Sequence, residues 1–520
     1  MKITRTRLAA GLALLVPVAL ALSACGGSAT TASSSDDTVV IGSGAVPQSL
    51  DPILASDVQT DFTDRAMYDK LVDYDSDGNL EAGIATDWEF AADAASVVLT
   101  LRDDVTFHSG NHMTAADVVY TLDRIKRLGT GVASFISDYV SSEAIDDTHV
   151  EITLSGANLR FVGALSKVYV LDSALVEQNL GDDDGQTWLA SNDAGSGVYE
   201  LDDYTANQQA SFHVFEDSWD LVADRPATLV YRYISTSSTI RDELKSGGVD
   251  VATGLTAEDV ATFDGQSGFS VVELPSYMQT YVMMNTQASA LSDVRVREAI
   301  QLAYDYTGHV ATAMGGNGTV ATGIVAPNLA CRADTGESEQ DVEQAKELLA
   351  EAGVSGLTLT LAYQSQIPEH AQAATLLQSN LADIGITVEL KSVTFPEYTA
   401  MVQSADTTPD LAILWDFPYY PEVGPMLYRV YDSAFIDQTN YSRYSNPDVD
   451  SLLEAGMSST DSDTACSDFE QAQQLIADDH VSVDIANQVT QTVTDSAVSG
   501  IQFRPTSQLF DVTDLRVAAE

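Results

Sequence analysis

Cysteine is scarce in this chain, with three in 520 residues: Cys25, Cys331 and Cys466. That is too few for a disulfide-built scaffold or a cysteine-rich zinc module. Basic residues are scarce as well, 24 Lys and Arg against 77 Asp and Glu, for a formal net charge of −53. A field of that sign repels nucleic acid and anionic lipid headgroups, so a nucleic-acid partner and a basic membrane patch are both excluded. Past residues 8–22 no apolar run is long enough to cross a bilayer. The chain also lacks GxSxG, HExxH and GxxxxGK[ST], which removes the usual signatures of a serine hydrolase, a zinc peptidase and a P-loop enzyme. Carboxylates are so abundant that spacing alone leaves a glycosidase-type pair open.

The amino terminus carries Lys2, Arg5 and Arg7, then the apolar run 8–22, then Leu22-Ser23-Ala24-Cys25. A positive head, a short apolar stretch and a small-residue cleavage site mark residues 1–24 as a secretion signal. Leu-Ser-Ala-Cys resembles a bacterial lipobox, which implies cleavage before Cys25 and a lipid on its sulfur. Residues 25–37 have no periodicity and few apolar side chains, and read as a flexible tether. With Cys25 lipidated, Cys331 and Cys466 remain as a candidate disulfide, with two buried free thiols as the alternative. The acidity admits two readings, a cationic ligand or a surface adapted to salt.

The most tightly specified stretch is 97–127. Val97, Leu99 and Leu101 alternate with Val98, Thr100 and Arg102, a half-buried strand, and a second short strand is expected to end at Phe107. A helix follows, with Thr114 as N-cap and Asp117 reaching back to the cap's own N–H. Val118, Val119, Leu122 and Ile125 fall on one face, and Gly129 ends the run. This strand, loop and capped helix closely resemble a hallmark of the family 5 extracellular solute-binding proteins, the dipeptide, oligopeptide and nickel receptors of ABC importers.

Further segments resemble the same family in matching order. They are Ser49-Leu50-Asp51-Pro52, the Asp73 to Gly78 turn, Gly195-Ser196-Gly197-Val198-Tyr199, residues 247–251, residues 293–300 and residues 441–453. Residue by residue, most have a plain structural reading. Asp73, Asp75, Asp77 and Gly78 begin like a calcium loop, but Ile84 stands where a bidentate Glu is needed, so an Asp/Gly turn is expected. His108 and His112 in a loop without cysteines do not make a zinc site. Arg295 and Arg297 are expected to pair with local carboxylates. Gly195 and Gly197 suit a close backbone approach.

Strands and helices alternate after residue 340: a helix over 341–352, strands over 357–361 and 386–390, and a strand over 410–415 that empties into 416–421. Open α/β sheets bind ligands at the carboxyl ends of their strands, so this loop is the expected pocket wall. Peptide-binding relatives carry WxxDYxxP here, with an Asp neutralising the ligand's α-amino group. This chain has Pro418 at that position and its nearest acid is Asp416. Tyr419 and Tyr420 either stack on a ligand ring or are simply packed.

The resemblance implies an α/β fold of the periplasmic-binding-protein type, class C: two α/β lobes joined by hinge strands, plus an extra α/β subdomain. Lobe I is expected from residues 38–60, 185–275 and 490–520, the extra subdomain from 61–184 and lobe II from 276–489. The ligand-binding set is expected to be Asp416 and Gln279 as polar groups, with Trp415, Tyr419, Tyr420 and Tyr277 as walls. No catalytic residue, metal or cofactor is expected. The implied function is a monomeric, lipid-anchored receptor on the outer face of the cell membrane, capturing a peptide, opine or sugar-like solute and delivering it to an ABC permease and its ATPase. The competing readings are a secreted peptidase or glycosidase, and a surface receptor of the same fold without transport.

Overall fold

Two strands are much longer than the rest, and the architecture follows from where they run. Phe269–Met284 and Ser482–Asp495 pair antiparallel along nearly their whole length. One half of a mixed eleven-stranded sheet lies on one side of them: Leu411–Asp416, Thr358–Gln364 and Thr387–Val393. On the other side lie Val251–Thr253, Thr38–Ser43, Thr228–Tyr233, Gln209–Val214 and Tyr199–Thr205. The computed structural model describes residues 37–517. The expected signal segment, most of the tether and the Cys25 lipidation site lie outside the described residues. No helix among the described residues is long and apolar enough to cross a membrane.

The pairing of the two long strands shifts register twice, between Pro275 and Gln279 and again between Thr280 and Tyr281. Before the first shift, 269–275 pair with 489–495; after it, 279–283 pair with 482–487 on one side and 279–284 with Leu411–Asp416 on the other. The extra residues at Ser276, Tyr277 and Met278 bend the strand where the two halves of the sheet meet, as a bulge does.

A separate four-stranded sheet, in the order Ala85–Phe90, Ser96–Leu101, His149–Leu154, Tyr139–Asp146, carries the helix Ala115–Leu128. Val97, Leu99 and Leu101 are buried and their alternates half-exposed, as the period of two requires. The Thr114 N–H donates to Asp117 Oδ2 at 2.8 Å, and Gly129 closes the helix at φ 63°. Val118, Leu122 and Ile125 are buried, while Val119 is only half-buried. The expected second strand reduces to one bridge, Thr106 with His112, because the loop turns back on itself there. Arg124, on the buried face, forms a forked pair with Asp51 at 3.0 and 2.6 Å, which ties this helix to the Ser49–Pro52 signature.

One apolar cluster runs continuously from Val39 and Ile41 through Val97, Leu122 and Val150 to Leu427, Phe469 and Ile476. A second, around Val282, Ile300, Leu361, Leu377 and Ile413, fills the half-sheet built from 358–416. The helix Val58–Asp64 straddles the expected 60/61 boundary. Cys331 and Cys466 are disulfide-bonded, Cα to Cα 4.7 Å, which joins residues 135 apart and staples the segment after Gly318–Val320 to the helix Ser462–Asp478.

Candidate functional site

Leu411–Asp416 runs parallel to Thr358–Gln364, which runs parallel to Thr387–Val393, so their carboxyl ends share one edge. The helix Pro368–Asp383 starts at that edge with proline in its first turn, placing Glu369 there. The indole Nε1 of Trp415 donates to Glu369 Oε2 at 3.1 Å. The same carboxylate accepts from Thr280 Oγ1 at 2.7 Å and Gln488 Nε2 at 2.8 Å, one on each long strand. His309 Nε2 lies 3.1 Å from it, with His309 Nδ1 2.8 Å from the Tyr304 hydroxyl. Burial works to raise the Glu369 pKa, but the hydrogen bonds from His309, Thr280 and Gln488 outweigh it and hold it below the usual value. The neighbouring His370 is fully buried with its ring edge-on to Trp415 at 5.1 Å. Burial pushes its pKa down to about 4, so it is neutral.

Of the expected polar groups, Asp416 has one carboxylate oxygen, Oδ1, engaged within the protein. It is ion-paired with Arg429 and accepts from its neighbour's N–H, Phe417, at 2.8 Å. Arg429 also donates to Phe417 O at 3.0 Å and lies 4.7 Å from the Tyr419 ring centre. Burial opposes the Arg429 charge, but Asp416 more than offsets it and the pKa is raised. Gln279, the other expected polar group, is fully buried. Its amide donates to Gly323 O at 2.8 Å and accepts from the Tyr281 hydroxyl at 2.6 Å. The two residues oppose each other directly across the strand pair.

Each expected aromatic residue has its own packing partners. Tyr419 lies against Phe135 with ring centres 4.3 Å apart and edge-on to Phe417 at 5.6 Å. Tyr420 is buried against Gly163, where an added Cβ would come 3.5 Å from the ring. Tyr277 packs edge-on to Phe503 at 5.5 Å, and its hydroxyl and Pro421 both close on Gly78. Burial pushes the Tyr277 phenol up to about 12. The loop 417–421 thus packs against residues 78, 135 and 163 of the expected extra subdomain, and Trp415 is held in the Glu369 network.

The remaining sequence candidates are structural. Asp75 accepts from the N–H groups of Asp77 and Asn79 at 2.9 and 2.8 Å, closing the turn that includes Gly78. His108 is held 2.8 Å from Asp193 Oδ2 and 2.8 Å from Gly197 O, and His112 is exposed. Among the described residues no group of three or more His, Cys, Asp or Glu is placed to hold a metal ion. Arg295 pairs with Asp293, as expected of a local partner. Arg297 departs from that expectation: its guanidinium is taken by the carbonyls of Asp479, His480 and Leu291, because the C-terminal end of the helix Ser462–Asp478 presents free carbonyls beside it. Glu369, His309, Gln488, Arg429 and Phe135 went unread in the sequence. Only Glu369 had a local signal there, an acid in the first turn after Pro368.

The profile described as bacterial extracellular solute-binding proteins, family 5 middle, matches residues 79–438. A probable D,D-dipeptide-binding periplasmic protein of Escherichia coli (strain K12), DdpA, is 27% identical over 491 residues, covering 92% of this chain and 94% of its own length. The glutathione-binding protein GsiB of Shigella dysenteriae is 24% identical over 450 residues, covering 84% and 86%. Among solved structures, the ABC transporter substrate-binding protein CtaP of Listeria monocytogenes superposes with a TM-score of 0.82 at 23% identity, covering 92% of this chain and 99% of its own. The profile spans more than half of the chain and the long-strand architecture agrees with it, so this chain belongs to the bacterial extracellular solute-binding proteins of family 5 and is a binding protein, not an enzyme.

Proposed function

We propose that the protein is the monomeric, lipid-anchored receptor of an ABC importer, holding a small peptide-like solute between the two halves of its large sheet and passing it to a permease and its ATPase. The lobes in this reading are 38–60 with 185–275 and 490–520, and 276–489, with 61–184 as the extra subdomain. The hinge is the register break between Pro275 and Gln279, since closure about a few irregular residues is the usual device. Cys25 carries the lipid and holds the receptor at the outer face of the cell membrane.

The observation that carries the ligand reading is the Asp416–Arg429 ion pair. A carboxylate already paired through one oxygen with a half-buried guanidinium offers a ligand's free α-ammonium group less than an unpaired one does. Trp415, Tyr419, Tyr420 and Tyr277 then act as apolar and stacking walls, with Asp416 and Gln279 positioning them. This favours a peptide-like solute whose amine is blocked or absent from this end, such as an acylated dipeptide or an opine. Relatives named for D,D-dipeptides and glutathione support a peptide-like solute in this reading.

The test is a thermal-shift screen of the full chain against free dipeptides, N-acetylated dipeptides, glutathione, opines, oligosaccharides and Ni²⁺ chelates. Stabilisation by an amine-blocked ligand that is lost in Tyr419→Ala and Tyr420→Ala is the expected result. Stabilisation by free dipeptides that disappears in Asp416→Asn would overturn the ligand reading. Membrane labelling with a radioactive fatty acid, lost in Cys25→Ala, checks the anchor.

A further inference from the structure

A cavity of about 210 Å³ lies away from the aromatic loop, between the helix Val294–Ala303, the start of the strand Ser482–Asp495 and the segment 335–339. Asp484 lines it and is 8% exposed. One Asp484 oxygen accepts from Ser482 Oγ at 2.6 Å, and the other has no hydrogen-bond partner among the described residues. Glu337 and Glu339 line the same cavity from its exposed side, and no Lys or Arg does. His480 completes the wall. Burial lowers its pKa, and its Nδ1 is already engaged by Gln301. An ionised carboxylate this desolvated needs a partner of opposite charge.

The donor set decides the class of partner. These carboxylates are not grouped closely enough to chelate a metal ion. Liquid water occupies about 30 Å³ per molecule, so the cavity has room for a few heavy atoms. We propose that this cavity binds a small primary ammonium ion, whose N–H groups reach the unpaired Asp484 oxygen while Glu337 and Glu339 draw the cation to the mouth. An ammonium suits one buried carboxylate with hydroxyl neighbours because it donates in three directions without a fixed coordination shell.

The titration behaviour of the site follows from its surroundings. Burial pushes the Asp484 carboxyl up to about 7. The phenols that face it, Tyr281, Tyr306 and Tyr431, are all held protonated by burial. Ammonium binding must therefore displace the Asp484 proton near neutrality, and affinity rises by about tenfold between pH 6 and pH 8.

The experiment is calorimetric titration of the full chain with ethylammonium chloride at constant ionic strength, with K⁺ and tetramethylammonium as parallel arms. One saturable site for ethylammonium, stronger at pH 8 than at pH 6, absent for tetramethylammonium and lost in Asp484→Asn, is the expected result. Ser338→Trp, which leaves Asp484 intact and fills the mouth, must also abolish binding and serves if the first variant does not fold. Equal heats from K⁺ or tetramethylammonium, unchanged binding in either variant, or no saturable heat in the wild type would each overturn the proposal, the first by showing only the ion atmosphere of an acidic chain.

Discussion

Arg429 and Asp416 form an ion pair beneath the aromatic loop, and the same guanidinium faces the Tyr419 ring at 4.7 Å. One cation thus fixes both the end of a strand and the ring that follows it. Removing one partner of a buried pair leaves the other charge uncompensated, at about 3–5 kcal/mol. Arg429→Ala is expected to lose that much in urea unfolding, and the double variant with Asp416→Asn to recover part of it. A loss in the double variant equal to the sum of the Arg429→Ala and Asp416→Asn losses would show that the pair is not coupled.

Glu369 gathers donors from both long strands, from Trp415 and from His309. Its pKa is lowered from 4.5 in the folded state. A lowered carboxylate contributes stability above its unfolded pKa and loses it as pH falls through the folded value. Glu369→Gln should cost roughly 1–3 kcal/mol at neutral pH and flatten the acid limb of the stability profile below about pH 4.5. Chemical denaturation from pH 3 to 7 measures both.

Asp484 has the opposite sign. Its folded pKa is raised from 3.8 to about 7, so its contribution is full below pH 4 and is lost as pH rises towards 7. Asp484→Asn, which cannot ionise, should gain on the wild type between pH 5 and pH 8, by at most about 4 kcal/mol at 1.4 kcal/mol per pKa unit. A constant difference across that range would mean that Asp484 titrates normally.

The Cys331–Cys466 bond closes a separation of 135 residues. Cross-linking a loop that long restricts the unfolded chain and stabilises by about 2–5 kcal/mol. Gln473 bonds the Cys331 carbonyl and the Ala333 N–H at 2.8 and 2.9 Å, so the segment keeps a second tether after reduction. A lower melting temperature in dithiothreitol with the fold retained is the expected outcome of scanning calorimetry.

At Gly195 an added Cβ would fall 1.9 Å from the Met67 carbonyl oxygen, backbone that cannot move aside. Gly195→Ala should cost roughly 3 kcal/mol or more. Gly156→Ala, where nothing lies within 4 Å, should stay within about 0.5 kcal/mol.

The elements that were legible in the sequence are those whose causes are local. Alternation at Val97, Leu99 and Leu101 and the Thr114–Asp117 box act over two to three residues, so they are visible in a string of letters. The Asp75 turn is of the same kind. The ordered motifs also placed the chain in its family, and the loop after Trp415 was picked out as an aromatic cluster at the end of a strand. What Asp416 does there was not legible, because its charge partner stands 13 residues further on, on the next helix.

The Glu369 network shows the limit most plainly. Its donors lie 46, 60, 89 and 119 residues away along the chain, and nothing in local propensity or periodicity links such positions. From the sequence alone came the period of each strand, the caps of the helices and the order of the family's motifs. Which carboxylate is spent on an internal cation, and which is left facing a cavity, was decided only when the folded chain brought distant residues within hydrogen-bond reach, since the cost of burying a charge depends on what stands beside it in space.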